Sequence, residues 1–249
     1  GGEIRETDYR CLTLANLKAA KLTTEANPDS VDVLRNCGIL PENIVVRLFA
    51  EMSSRQVLPN DFYDWMKLPI SLFLARGVNK FEVHNEPNRM QEGYGFSWKS
   101  PCQFAQWYSA VVYLIRANHP GAKVGFPGLS PGPTDAGKID QQVFLDTCSD
   151  VIGLSDFVCA HAYWTDPALM AHIDHGGNWK RYVKYNKDVY ITECSNPSIT
   201  EDKRYKQYLS TLTSPVKAVH FFVSSSPAFP YEAWVSEDGI VSQIPYLLR

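Results

Sequence analysis

Two acidic residues end apolar runs in this chain. Residues 81–88 read FEVHNEPN and residues 188–194 read DVYITEC, so Glu86 and Glu193 each close a short apolar segment. A carboxylate at the end of a buried strand is costly unless it is paired or has chemistry to perform. Two such groups facing one another can share the cleavage of one bond. One gives a proton to a leaving oxygen, and the other attacks the carbon it leaves. That chemistry cleaves glycosidic bonds, with retention when the carboxyl groups lie about 5–5.5 Å apart. The donor must be kept protonated by burial or by neighbouring negative charge, and the nucleophile must stay ionised and needs hydrogen-bond donors. Tyr163, Arg47 and His161 are the candidate donors.

These residues need a frame that brings distant strand ends together. Short apolar runs at 17–22, 43–49, 81–87, 122–128, 157–164, 188–194 and 217–225 alternate with segments of helical spacing. Such alternation predicts βα units and a parallel sheet. One helix is marked in detail: Ser100 caps it, Pro101 takes its first position, and Phe104, Trp107, Tyr108, Val111, Val112 and Ile115 share one face. No linker or composition break divides residues 1–249, which are read as one domain. The spacing predicts an α/β fold, a (β/α)8 TIM barrel, with an irregular or missing first strand, because residues 1–8 make a poor strand. A doubly wound open sheet is the alternative, but no glycine-rich phosphate loop follows the first strand.

In such a barrel the active site lies at the C-terminal ends of the strands. The polar residues there are Arg47, His84, Asn85, Glu86, His161, Tyr163, Trp164, Thr192 and Glu193. Asn-Glu-Pro closing one strand and Thr-Glu closing a later one resemble clan A of the glycoside hydrolases, the (β/α)8 retaining enzymes. FEVHNEPN is especially similar to family 39, whose pattern is Phe-Glu-Val-Trp-Asn-Glu-Pro-Asn, with His84 standing where that Trp would be. A family 5-like or unassigned branch fits the same residues. The resemblance implies that Glu86 is the acid/base, Glu193 the nucleophile, and Asn85 the partner of the sugar 2-hydroxyl. It implies that Tyr163 steadies the nucleophile. It also makes Trp234 the candidate for the ring under the reacting sugar, with Phe229 or Tyr231 as substitutes.

Plainer readings stand beside these. Glu86 can cap a helix or pair with Arg89, and Glu193 can be an ion-pair partner. Glu82 shares strand parity with His84 and Glu86 and is read as structural, paired with Lys21 or Arg47. Arg47 is open between substrate and core roles, and His161 between a substrate contact and a supporting one. Trp98, Trp164 and Trp179 either line sugar subsites or pack their loops. His172 and His175 are a weak hint of metal binding.

The net charge of −3 and pI near 6.1 argue against a nucleic-acid surface. No apolar run is long enough to span a bilayer. The six cysteines contain no CxxC pair, so they are expected to be mostly free, with Cys11 and Cys37 the first pair to examine. The expectation is a monomeric retaining glycosidase acting without a cofactor on β-linked poly- or oligosaccharides. Secretion follows only from that substrate. The competing functions are a non-catalytic carbohydrate-binding barrel and a metal-dependent hydrolase built on His84, His161 and acidic partners.

Overall fold

The computed structural model describes residues 4–197, 203–223, 226, 228–229, 232–237, 239–242 and 244–248. Seven strands run parallel in one sheet and follow one another in chain order. They are β1 (Ala20–Thr23), β2 (Ile44–Leu48), β3 (Lys80–Val83), β4 (Lys123–Phe126), β5 (Phe157–Tyr163), β6 (Val189–Ser195) and β7 (Val216–Phe221). Each neighbour pair is parallel, so every connection is a crossover on the outside of the sheet. The sheet curls into a nearly closed α/β barrel. All strand ends that carry the candidate residues therefore share one rim.

The barrel is one strand short of eight among the described residues, in line with the poor strand signal at the N-terminus. There α1 (Glu6–Leu14) leads directly into β1. A cavity of about 980 Å³ lies between the β1 and β7 sides of the barrel, lined by Leu12, Leu22, Val219, Phe221 and Trp234. It reaches Lys21, Arg47 and Glu193. A two-stranded ribbon, β8 (Val235–Ser236) with β9 (Gly239–Ile240), packs beside α1.

The other helices are α2 (Ser30–Asn36), α3 (Pro59–Ala75), α4 (Pro101–Asn118), α5 (Gln141–Thr147), α6 (Ser149–Leu154), α7 (Lys203–Ser210) and α8 (Ile244–Leu247). The α4 start is built as its sequence predicts. Ser100 Oγ accepts from the Gln103 N–H at 3.3 Å, and Pro101 follows. Such a cap contributes about 1 kcal/mol. The six residues expected on its inner face are all buried.

The stretch at 139–150 forms two short helices, α5 and then α6. The segment at 165–185 forms 3-10 turns, Pro167–Leu169 and Asn178–Tyr185. Gly176 and Gly177 lie so close to the Met170 and Ala171 carbonyls that the chain is folded back there on its own backbone. All six cysteines are free thiols. No helix among the described residues is long and apolar enough to cross a membrane.

Candidate active site

The site grows from a buried charge. Glu82 on β3 has no exposed surface, yet it is fully partnered. Arg47 Nε donates to it at 3.1 Å, Thr192 Oγ1 at 2.9 Å and the Gly128 N–H at 3.1 Å. Lys21 Nζ lies 3.4 Å away. Burial alone would raise the Glu82 pKa, but Arg47, Lys21 and His161 outweigh it and hold the group far below the usual carboxylate range. Both basic partners expected from the sequence are therefore present.

Arg47, on β2, spreads its guanidinium over three groups. Besides Glu82, its Nη1 lies 2.6 Å from Glu193 Oε1 and its Nη2 3.1 Å from His161 Nε2. Since an Arg nitrogen only donates, His161 Nε2 must accept, and the ring proton sits on Nδ1. That Nδ1 lies 2.8 Å from Glu86 Oε1 and 3.5 Å from Glu193 Oε2. Arg47 thus sets the tautomer of the histidine that faces both carboxyls.

Glu193 lies on β6 and is almost entirely buried. Tyr163, at the end of β5, donates its hydroxyl to Oε2 at 2.7 Å, and Lys21 Nζ reaches Oε1 at 3.3 Å. Burial would raise the Glu193 pKa, but His161, Arg47, Lys21 and the Tyr163 hydrogen bond together push it well below the ordinary value. Glu193 is held ionised, and Tyr163, pushed far up by burial and by Glu193, is held protonated.

Glu86 follows β3 on a bent backbone, with φ of 70° at His84 and 33° at Glu86. Left-handed geometry at non-glycine residues costs about 1–3 kcal/mol each and persists where surrounding contacts enforce it. Here the His84 N–H donates to the Leu48 carbonyl at 2.7 Å, and the Glu86 N–H to the Gly128 carbonyl at 3.0 Å. The bend ends β3 at Val83, short of the run to residue 87 expected from the sequence. It also breaks the strand alternation, so His84 and Glu86 do not follow Glu82 inward in simple parity. Gly128 leaves room for His161: a Cβ there would lie 2.3 Å from the imidazole.

The structure brings Glu86, Glu193, His161, Arg47 and Tyr163 together. Of the expected tryptophans, Trp234 shares a cavity with Lys21, Arg47 and Glu193, and Trp98, Trp164 and Trp179 do not line it. Trp98 is 1% exposed and packs against His84, Phe104 and Trp107, its Nε1 donating to the Pro87 carbonyl at 2.8 Å. Trp164 is also 1% exposed and stacks on Tyr208 at 4.3 Å. Trp234, 3% exposed, packs on Phe221 in the wall of the cavity between β1 and β7. Trp179 is buried as well. Phe229 is 46% exposed, and Tyr231 lies outside the described residues.

His84 is fully buried, stacked on Phe49 at 5.5 Å, and its Nε2 donates to the Glu92 carbonyl at 2.6 Å. It anchors the loop after β3 rather than facing the carboxyl pair. Asn85 likewise donates to Glu92, Nδ2 to Oε1 at 2.8 Å. Glu92 escaped the sequence reading because it lies in a polar loop without periodicity. Gly93 and Gly95, which follow it at positive φ, were the signal of a tightly shaped turn.

Among the described residues, Glu86, His161 and Glu193 are the group whose potential ligand atoms gather, all within 4.8 Å of one another. Arg47 and Lys21 already occupy Glu193, so a cation would meet two fixed positive charges. His172 and His175 lie with their rings 5.6 Å apart, and Asp174 lies 3.7 Å from His172.

The barrel has the shape of known glycoside hydrolases. It aligns with a family 128 (subgroup II) endo-β-1,3-glucanase from Sorangium cellulosum with a TM-score of 0.64 and 15% identity, over 99% of this chain and 95% of that one. A family 39 enzyme from Xanthomonas axonopodis pv. citri aligns with a TM-score of 0.64 and 16% identity, over 100% of this chain but 64% of the other. A family 128 endo-β-1,3-glucanase from Amycolatopsis mediterranei, solved with laminaritriose, gives 0.62 and 13%, over 99% and 95%. At these identities the likeness is one of fold. The sequence matches no protein-family model and no curated protein.

Proposed function

We propose that the protein is a retaining glycoside hydrolase acting on β-linked glycans, with Glu193 as nucleophile and Glu86 as acid/base. One observation carries this reading. Carboxyl oxygens of Glu86 and Glu193 approach within 4.8 Å, closer than the about 6.5–9.5 Å that an inverting pair needs to admit a water. The two environments also differ in the required sense. Glu193 meets two cations and a tyrosine hydroxyl, whereas Glu86 accepts the His161 N–H and has no Lys or Arg ion pair among the described residues.

Catalysis then runs in two displacements. A Glu193 oxygen attacks the anomeric carbon while the glycosidic C–O bond breaks and Glu86 gives its proton to the departing oxygen. Glu86, now a carboxylate, takes a proton from water. The hydroxide formed attacks the same carbon, and Glu193 leaves with its bonding pair. In this reading Tyr163 and Arg47 hold the nucleophile still, and Asn85 binds a hydroxyl beside the reacting carbon.

The fold neighbours that act on β-1,3-glucan put that polymer first in a substrate panel, followed by xylan, mannan and mixed-linkage glucan. Digestion by wild type, Glu193→Gln and Glu86→Gln, with products read by mass, tests the reading. Oligosaccharides from wild type only are expected, with the Glu86 variant partly restored on substrates whose leaving group needs no proton. Full turnover by either variant would refute it. The gathering of Glu86, His161 and Glu193 supports a second reading, a metal-dependent hydrolase. Loss of turnover on dialysis against chelator, restored by a divalent cation, would favour that one.

A further inference from the structure

The loop after β3 carries a third carboxyl that neither catalytic role uses. Glu92 sits on the 3-10 turn Met90–Glu92, and two residues of the strand end clasp it. His84 Nε2 binds its backbone carbonyl at 2.6 Å, and Asn85 Nδ2 binds its Oε1 at 2.8 Å. Gly93 closes the turn at φ 107°, where a Cβ would lie 2.8 Å from the Trp98 ring. The loop is thus built to hold this side chain in place.

Two oxygens in this clasp are buried and unpartnered: Glu92 Oε2 and Asn85 Oδ1. Buried acceptors left without a donor are costly. They belong to two planar groups already joined by one hydrogen bond. A single proton between them would satisfy both, as a carboxylic acid pairs with an amide through two parallel bonds.

We propose that Glu92 is a positioning residue that closes an acid–amide ring with Asn85: its Oε2 carries a proton donated to Asn85 Oδ1, while Asn85 Nδ2 donates to Glu92 Oε1. The ring fixes the Asn85 amide plane and leaves its second Nδ2 hydrogen free for a substrate hydroxyl. The role in turnover rests on the glycosidase reading, but the ring itself does not.

The surroundings favour a proton on Glu92. Burial raises its pKa, the Asn85 hydrogen bond lowers it, Glu86 and Glu193 raise it and Arg47 lowers it, leaving it at about 7. The competing holder of that proton is His84, whose Nε2 lies 4.0 Å from Glu92 Oε2. Burial pushes His84 down to about 4, against the opposing pull of the Glu92 carbonyl, and Arg47 lowers it further while Glu51 and Glu82 raise it. The proton therefore belongs to the carboxyl.

Carbon-13 NMR of protein labelled at the Glu carboxyls, combined with the side-chain amide resonances of Asn85, tests the ring without any substrate. A carboxyl that titrates near neutrality is expected to vanish from the spectrum of Glu92→Gln. The Asn85 amide should shift with the same midpoint in wild type and lose that response in the variant, because a Gln amide reproduces both bonds at every pH. Titration of every Glu carboxyl in the ordinary range near about 4.3 would overturn the proposal. So would an Asn85 amide that ignores the titration. With an active substrate in hand, Glu92→Ala should lower kcat/KM by at least about tenfold and Glu92→Gln should restore most of it. Equal loss in both variants would refute the positioning role, while absence of turnover in wild type would bear only on the glycosidase reading.

Discussion

Arg47 Nη1 meets Glu193 Oε1 at 2.6 Å, and the same guanidinium, through Nη2, fixes which nitrogen of His161 is left to face Glu86. One side chain on β2 therefore sets the charge of one carboxyl and the hydrogen-bond donor of the other. Replacing it is expected to harm both stability and turnover. In Arg47→Gln the buried Glu82 and Glu193 lose one of the two cations they share and keep Lys21, a change approaching the about 3–5 kcal/mol that breaking a buried pair costs. Urea unfolding should show the loss as a lower midpoint with an unchanged slope. A midpoint within error of wild type would contradict the network.

Tyr163 holds Glu193 with a single 2.7 Å bond. Tyr163→Phe removes that bond and leaves the ring. Hydrogen bonds to charged groups are worth about 1.5–3 kcal/mol, so kcat/KM should fall by about 10–150-fold with little change in Tm. Steady-state kinetics on the substrate found by panel digestion check this. An unchanged kcat/KM would remove Tyr163 from the site.

Gly128 is a steric gate for His161. A methyl group in Gly128→Ala would lie 2.3 Å from the His161 Cδ2 and must displace the ring from Glu86 and Arg47. The expected cost is about 1–3 kcal/mol in stability and at least a tenfold fall in turnover, with the circular dichroism spectrum retained. Wild-type turnover would show that His161 has no part in holding the pair.

The pH dependence of stability has a definite sign. Burial lowers His84 and His220 from 6.5 to about 4. Between those values the unfolded chain takes up protons that the folded one refuses. Stability is therefore full above 6.5 and is lost as pH falls, by about 3 kcal/mol for each histidine. Glu92 acts in the opposite sense, since its pKa is raised by burial from 4.5 to about 7 and its penalty is relieved on acidification. Two histidines outweigh one carboxyl, so Tm should fall between neutral pH and the low end of this window. In Glu92→Gln the fall should be steeper, because the offset is gone. A flat or rising Tm on acidification would contradict the buried, neutral state of the two rings.

Much of this arrangement could be read in the residues. The seven strands were legible because each is a short apolar run between helical segments, and their order followed from alternation alone. Glu86 and Glu193 stood out because a carboxylate closing such a run is rarely idle. The pairing of Glu82 with Lys21 and Arg47 followed from the cost of burying a charge. Which of their two readings Trp98 and Trp164 would take was not legible, because composition says nothing about direction: both are buried among other rings. His84 misled because strand alternation assumes an extended backbone, and φ is positive there. Glu92 matters through the shape of one polar loop, and Gly128 through a close approach to a strand remote in sequence, neither of which periodicity records.

The most direct test of the central assignment is to trap the glycosyl-enzyme. Wild type is treated with an activated fluoroglycoside of the sugar that panel digestion identifies, because the fluorine slows breakdown of the covalent ester. The intact mass should rise by one fluorosugar, peptide mapping should place it on Glu193, and Glu193→Gln should remain unlabelled. A label on Glu86, or a protein that turns over the glycan yet never carries the sugar, would contradict the account.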